Sequence, residues 1–248
     1  MSDPVTTIPA AEAAPKPASR WEDFIDIFYA PSDVYARREH SGFGIPMLVV
    51  TVVGGIIFLA TANAMQPIMD AEFAKGAAAA IKQGAKPEQL ESMRSVGEKI
   101  AKVMAFIAPP IMMFLVGLLL WIAGKFVGAR QTLNAAIMVV AYAFVPRFIV
   151  GGLLGGAQAM MMDPSSLTSR YAITESLARF MDPATASPYA LALAGRVDLF
   201  TIWATVLLAI GLAVTGKIPR NKAAIAAFIV WIVGSLPDLM NAMRQASS

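Results

Sequence analysis

The sequence contains no cysteine and a single histidine, His40. A chain without thiols cannot form disulfide bonds, iron–sulfur clusters or thiolate zinc sites. A catalytic triad or a histidine-based metal site would have to depend on His40 alone, and this residue lies outside every apolar stretch of the chain. We therefore expect no cofactor and no metal ion. Together with the apolar character of the chain described below, this predicts that the protein is not an enzyme.

Charged residues are also scarce. They make up 15% of the 248 residues, and hydrophobic residues make up 57%, whereas soluble domains average about 25% charged residues. The net charge of +3 is small, and the basic residues are not concentrated in one tail or region. The composition therefore argues against a nucleic-acid partner and indicates a chain that spends much of its length in lipid.

The sequence is instead rich in long apolar stretches. A helix needs about 20 apolar residues to cross a hydrocarbon layer of ~30 Å. The chain is thus predicted to be an all-α membrane protein with a five-span domain over residues 41–240, between a disordered tail at 1–20 and a second tail at 241–248. The predicted transmembrane helices lie at about 45–65, 103–124, 133–154, 199–216 and 223–237.

The basic residues predict how these spans are oriented. The short links after the second and fourth spans carry lysine and arginine but no acidic residue: Lys125, Arg130, Lys217, Arg220 and Lys222. Basic short loops face the cytoplasm, so the N-terminus is expected inside and the C-terminus outside. In the first long outer loop we expect a helix over "PIMDAEFAKGAAAAIKQG" that ends at Gly84, and a second helix that begins at Pro87 and runs on into the second span. In the second long outer loop we expect a short amphipathic helix within 167–182.

Residues 21–40 precede the first span and alternate between aromatic and charged positions. Their spacing favours amphipathic helices that lie in the headgroup layer. The alternative is a pair of helices packed against the ends of the spans. The candidate interfacial residues are Trp21, Phe24, Phe28, Tyr29, Arg37 and Arg38.

Arg147 is the most unusual residue within a predicted span, where it follows Pro146. An unpaired arginine at this depth costs about 2.5–3.5 kcal/mol on insertion scales. Three interpretations remain open: an ion pair with Asp198 or Asp238, extension of the side chain to the headgroups, or contact with an anionic lipid or a transported substrate. Four glycines that follow it permit close helix packing, within the bundle or in a dimer: Gly151, Gly152, Gly155 and Gly156.

Three stretches resemble the bacterial branch of the YIP family, named for eukaryotic relatives that interact with Ypt/Rab GTPases. They are "FYAPSDVYARRE", "GKFVGARQTLNAAIMVVAYAFVPRFI" and "VDLFTIWATVLLAIGLAVTGKIPRNKAAIAAFIVWI". The segment from Tyr142 to Pro146, the triplet Asp198–Leu199–Phe200 and Trp203 carry most of the likeness. The resemblance implies five spans in a bacterial cytoplasmic membrane, a cytosolic N-terminus and no catalytic residue.

The resemblance also implies an interaction or scaffold role, or that of an accessory subunit of a membrane complex such as an ABC-type exporter. The expected partners are the lipid bilayer, another membrane protein and, as a further option, a second copy of the chain. Two alternatives remain open. One is a small transporter or channel-like protein with Arg147 in an outer-facing cavity, and the other is lipid or curvature sensing through residues 21–40.

Overall fold

The computed structural model describes residues 19–82 and 84–246. The predicted disordered tail at 1–20 lies outside these residues except for its last two positions. The helices are α1 (Asp23–Asp26), α2 (Pro31–Arg38), α3 (Gly44–Lys82), α4 (Pro87–Phe126), α5 (Leu133–Ala143), α6 (Gly152–Met161), α7 (Pro188–Arg196), α8 (Leu199–Gly216), α9 (Arg220–Val233) and α10 (Leu236–Ala246), with a π-helical turn at Pro146–Gly151.

Five of the helical stretches that the structure describes are long and apolar enough to cross a membrane, which confirms the predicted fold class. Within the described part of the chain there is no β-strand, only an isolated bridge between Ser176 and Asp198. The protein is therefore an all-α, multi-pass membrane protein. The five stretches are Gly44–Lys82, Glu88–Phe126, Leu133–Met161, Leu199–Gly216 and Arg220–Ala246.

Helix α5 is the centre of the bundle. Twelve consecutive residues, 135–146, are buried, because α3, α4 and α8 pack around this helix. A helix that is apolar on all sides needs such a position. Close approach is possible where a partner helix has a glycine: a Cβ on Gly117 would lie 2.7 Å from Cγ1 of Ile137, and a Cβ on Gly211 would overlap Val139.

Helices α3 and α4 form a long antiparallel hairpin. They contain 39 and 40 residues, about 58 and 60 Å at 1.5 Å per residue. As predicted, α4 begins at Pro87 and runs without a break into the second span. Helix α3 runs past residue 65, the predicted end of the first span, and includes the helical stretch that was predicted before Gly84. Gly84 itself has a φ of +91°, a conformation common for a glycine that follows a helix.

The predicted amphipathic helix within 167–182 is absent. This loop instead forms short 3₁₀ turns, at Arg170–Ile173 and Leu177–Phe180. The physical reason is that the backbone here pairs with the start of α8: the Leu177 N–H donates to the Val197 carbonyl at 3.1 Å, and the Leu199 N–H donates to the Glu175 carbonyl at 3.1 Å. Residues that pair in this way cannot also complete the hydrogen bonds of a continuous helix.

The last span also extends further than predicted. The sequence placed its end near residue 237 and a tail at 241–248, whereas α10 remains helical to Ala246. Helix α10 packs against α7, and this contact stabilises turns that would be marginal alone. Asp238, expected to close the fifth span, therefore lies in the first turn of α10.

Candidate functional site

The two ends of the bundle differ in chemistry. We call the end that carries the short links the basic end, because Lys125, Arg130 and Lys217 lie there. We call the opposite end the loop end. It carries the turn of the α3–α4 hairpin and the 3₁₀ turns before α7. Each end places charged side chains next to apolar helices.

At the basic end, α1 and α2 form a small hairpin that lies alongside the spans rather than across their ends. Glu39, just after α2, pairs with Lys217 at the end of α8, with Nζ and Oε2 2.6 Å apart. The Phe28 ring, between α1 and α2, contacts the Trp203 ring with centroids 5.4 Å apart. Trp203 lies 13 residues before Gly216, or about 20 Å along the helix axis, so the hairpin reaches well into the level of the spans.

A closed group of charges holds this hairpin, and we call it the Asp23 cluster. The Asp23 carboxylate is completely buried and pairs with Nη2 of Arg37 at 2.9 Å and with Nε of Arg38 at 2.5 Å. Arg37 also pairs with Asp26 at 2.5 Å, and the Tyr142 hydroxyl donates to Asp23 at 3.3 Å. Because a buried charge is costly unless it is paired, the mutual pairing explains how two carboxylates and two guanidinium groups are tolerated here.

The predicted interfacial residues divide between two faces of the hairpin. Phe24 and Phe28 face the bundle and pack against Tyr142 and Trp203, and the two arginines belong to the Asp23 cluster. Trp21 and Tyr29 are about 70% exposed (69% and 70%). Residues 21–40 thus pack on the sides of the spans rather than under their ends, and the predicted contact of the exposed face with the headgroup layer stays a prediction.

At the loop end, Arg147 is presented by an irregularity in the third span. Pro146 has no N–H to donate, so the α-helix cannot continue through it unchanged. Helix α5 ends at Ala143, and the chain continues as the π-helical turn at Pro146–Gly151. Single π turns inside helices occur frequently at functional sites. Here the turn brings Arg147 out of the buried run, and its side chain is 46% exposed.

The partners of Arg147 lie at the start of α8. Its Nη1 donates to the Thr201 hydroxyl, which in turn donates to Asp198 at 3.1 Å. Asp198 is the N-cap of α8 and accepts the Thr201 backbone N–H at 2.9 Å. The direct distance from Arg147 Nη1 to Asp198 Oδ1 is 4.0 Å, so the predicted Arg147–Asp198 pair is present only at the outer limit of an ion pair. Asp238, the other predicted partner, pairs instead with Arg170 at 3.7 Å.

Two cavities meet at Arg147. The first has a volume of about 390 Å³ and lies between α3, α4 and the π turn, and we call it the apolar groove. The second, of about 200 Å³, is lined by Arg147, Arg170, Asp198, Thr201 and Asp238, and we call it the polar cavity. The groove is lined mainly by small and aliphatic side chains such as Ile57, Met65, Met104, Ala108 and Met112.

The four glycines after Arg147 contact neighbours within the chain. A Cβ on Gly151 would lie 3.1 Å from Phe200, and one on Gly156 would overlap Thr61. Gly152 and Gly155 have more room, with nearest atoms at 3.4 Å and 3.5 Å. These contacts support packing inside the bundle rather than the alternative of a dimer interface.

Several residues of these sites escaped the sequence analysis. Asp23 belongs to an apolar helix face with Phe24 and Ile27, and an acid on such a face is the signal that could have revealed it. Arg170 and Thr201 gave no local signal, because their partners lie far away in the sequence. Within the described residues, no group of three or more His, Cys, Asp or Glu residues could hold a metal ion.

Two pKa shifts outside the spans agree with this geometry. Hydrogen bonds from Arg37 and Tyr29 lower the pKa of Asp26, as expected for a carboxylate that pairs in the Asp23 cluster. At the loop end, burial and, to a smaller extent, the charge of Arg147 lower the pKa of Arg196. Arg196 donates to the Trp231 carbonyl at 2.9 Å and lies over the Trp231 ring, so it faces α9 rather than the polar cavity.

Comparison with known proteins identifies the family. No curated protein and no solved structure matches the chain. The pattern of the Yip1 domain, however, matches residues 25–237. This range contains four residues of the Asp23 cluster (Asp26, Arg37, Arg38 and Tyr142), the lining of the apolar groove and all but the last turns of the five spans. It also contains the lining of the polar cavity apart from Asp238. With most of its length matched, the chain belongs to the Yip1-domain family of membrane proteins.

Proposed function

We propose that this chain is a non-enzymatic accessory subunit of a membrane complex, such as an ABC-type exporter, in a bacterial cytoplasmic membrane. Its role would be to bind a second membrane protein. The observation that carries the proposal is the part of the α3–α4 hairpin at the loop end, where Arg94 of α4 pairs with Asp70 of α3. This part, which we call the arm, consists of residues 77–82 and 84–103.

The arm carries an apolar stripe that is at least half exposed along its length. Met93, Val96, Ile100 and Val103 are between 50% and 61% exposed, and their spacing of three and four residues places them on one face of α4. Lys99 and Lys102 alternate with the stripe, which argues that it lies in or beyond the headgroup layer. An apolar stripe there is unfavourable in water and is typical of a surface that binds another helix.

The arm is also rigid enough to present this stripe. Arg94 on α4 pairs with Asp70 on α3 at 2.5 Å, and the Gln66 amide donates to Glu98 at 3.4 Å. These bonds join the two helices on the face that lies away from the stripe. The stripe is therefore held outward, toward a partner.

Site-specific photocrosslinking in living cells tests the accessory role. A photoreactive residue at Val96 should form a crosslink to one integral membrane protein, whereas the same residue at Glu91, on the opposite face of α4, should not. Val96→Glu should abolish co-purification of that partner. Equal crosslinking at the two positions, or an intact complex with Val96→Glu, would contradict the proposal. Identification of the partner as an exporter subunit would support its more specific form.

The orientation that accompanies this proposal places the basic end in the cytoplasm. The chain has no cysteine, so single cysteines can be introduced without background. A membrane-impermeant maleimide added to intact cells with a permeable outer membrane should label Ser95→Cys on the arm. It should label Asn221→Cys, in the basic link, only after the inner membrane is opened. The reverse pattern would show the opposite orientation.

A second candidate function is that of a small transporter, and the two cavities at Arg147 are the observation that favours it. Solute flux by the purified chain in liposomes, abolished by Arg147→Leu, would support this candidate over the accessory role. A third candidate, lipid or curvature sensing by residues 21–40, is favoured by the exposed face that carries Trp21 and Tyr29. Reduced vesicle-size dependence of reconstitution in a Trp21→Ser, Tyr29→Ser variant would support it.

A further inference from the structure

The junction of the apolar groove and the polar cavity has the layout of a site for an amphiphilic molecule. The groove is lined almost entirely by apolar groups of α3 and α4 and lies within the transmembrane region. The polar cavity adjoins it at the loop end, and Arg147 lines both. The groove volume of about 390 Å³ falls in the range of ligand pockets.

The charged groups of the polar cavity are only loosely satisfied by one another. The two ion pairs there, Arg147–Asp198 and Arg170–Asp238, have distances of 4.0 Å and 3.7 Å, whereas charge-assisted hydrogen bonds are usually about 2.7–2.9 Å long. Among the described residues, Arg147 donates a hydrogen bond only to Thr201. Its remaining N–H groups can therefore bind an acceptor from outside the chain.

We propose that one phospholipid with an ammonium-bearing, zwitterionic headgroup binds at this junction. One acyl chain lies in the apolar groove, and the phosphate accepts hydrogen bonds from Arg147 and Arg170. The ammonium group lies between Asp198 and Asp238. This site is independent of the arm and of any protein partner, so it goes beyond the accessory role proposed above.

The charge balance of the cavity determines the headgroup. Two arginines and two aspartates line it, and they sum to zero formal charge. A phosphate alone would satisfy the arginines but would face two carboxylates, whereas a primary ammonium can donate hydrogen bonds to both of them. The quaternary ammonium of a choline headgroup has no N–H to donate, so the structure favours an ethanolamine-type headgroup over choline and glycerol headgroups.

Native mass spectrometry of the full chain tests this assignment. The protein is released from micelles that contain equal amounts of phosphatidylethanolamine, phosphatidylglycerol and phosphatidylcholine, and the bound lipids are counted. We expect one retained phosphatidylethanolamine. Arg147→Gln should lower its retention roughly tenfold, because one charge-assisted contact to the phosphate is lost.

Three further variants separate the site from effects on folding. Ala108→Leu fills the groove without changing a charge and should lower retention of all three lipids. Asp238→Asn should leave a lipid bound but remove the preference for phosphatidylethanolamine. Lys125→Gln, which removes an exposed cation at the basic end of α4, should change nothing.

Three results of these measurements would overturn the proposal. They are equal retention of the three lipids by the wild-type chain, a preference for phosphatidylglycerol, or unchanged retention in Ala108→Leu. If Arg147→Gln does not elute as a monodisperse protein, Ala108→Leu and Asp238→Asn decide the result, since neither removes a contact of the Asp23 cluster or of the α8 N-cap.

Discussion

The two charged sites of this protein contain the same groups, two arginines and two aspartates, but hold them in opposite ways. In the Asp23 cluster the ion pairs are 2.5–2.9 Å long and Asp23 is completely buried. In the polar cavity the pairs are 3.7 and 4.0 Å long and Arg147 is 46% exposed. In the first site the charged groups pair mainly with one another, although a cavity of about 270 Å³ lies beside Arg38 and Tyr142, and the cluster joins the N-terminal hairpin to the spans. The second leaves hydrogen-bonding capacity and open space, which are the properties of a binding site.

The largest effect is expected from breaking the closed site. Asp23→Asn removes the negative charge that pairs with the guanidinium groups of Arg37 and Arg38. Loss of one partner of a buried ion pair typically costs about 3–5 kcal/mol. The midpoint of thermal unfolding of the purified protein in mixed micelles measures this loss. Asp33→Asn, an exposed carboxylate on α2, is the matched control and should have little effect. An equal loss in both variants would show that the Asp23 cluster does not hold the hairpin.

A smaller effect is expected from the packing beside the open site. Gly156→Ala would place a Cβ where it overlaps Thr61. The Thr61 side chain is fixed by the hydrogen bond that its hydroxyl donates to the Ile57 carbonyl at 2.9 Å. Overpacking of this kind costs about 1–3 kcal/mol. Gly155→Ala meets its nearest atom at 3.5 Å and should be close to neutral. This contrast is tested by measuring the thermal midpoints of both glycine variants in the same detergent. Equal destabilisation would show that α3 and α6 do not pack as described.

Removal of Arg147 should cost less stability than removal of Asp23, which sharpens the comparison directly. Half of the Arg147 side chain is exposed and its ion pair is long, so the pair contributes about 1 kcal/mol or less to the free energy of unfolding. Arg147→Gln should therefore unfold near the wild-type temperature when no phospholipid is present. A loss as large as that of Asp23→Asn would mean that Arg147 is a structural residue and not a ligand-binding one.

The sequence predicted well what depends on neighbouring residues. Runs of about twenty apolar residues specify the spans, and Pro87 and Gly84 mark the turn of the α3–α4 hairpin through their own backbone preferences. The helix before Gly84 was predicted as a separate element of the outer loop, whereas in the structure it continues the first span, because a helix can carry charges once it leaves the lipid. Hydropathy therefore predicts where a span leaves the lipid, but it does not predict where the helix that forms the span ends.

What the sequence could not predict depends on contacts between distant residues. Arg147 could be recognised as unusual, but its hydrogen bond to Thr201 joins residues 54 positions apart. Asp23 is buried only because Arg37, Arg38 and Tyr142 surround it in the folded chain. The polar cavity is assembled from loop residues and the ends of α8 and α10, and no local pattern records such an arrangement.

The smallest effect is expected from pH, and it separates the partly exposed member of the Asp23 cluster from the buried one. Hydrogen bonds from Arg37 and Tyr29 lower the pKa of Asp26 below its ordinary value of 3.8. A lowered pKa in the folded state means that the ionised Asp26 stabilises the fold at every pH above about 3.8, and that this contribution is lost as the pH falls through the lower, folded-state pKa. The thermal midpoint of the wild-type chain should therefore exceed that of Asp26→Asn by a constant amount at neutral and mildly acidic pH. The difference should disappear only below pH 3.8. A difference that vanishes already near neutral pH would show that Arg37 pairs with Asp23 but not with Asp26. The Asp23 cluster would then contain one buried carboxylate and its two arginines.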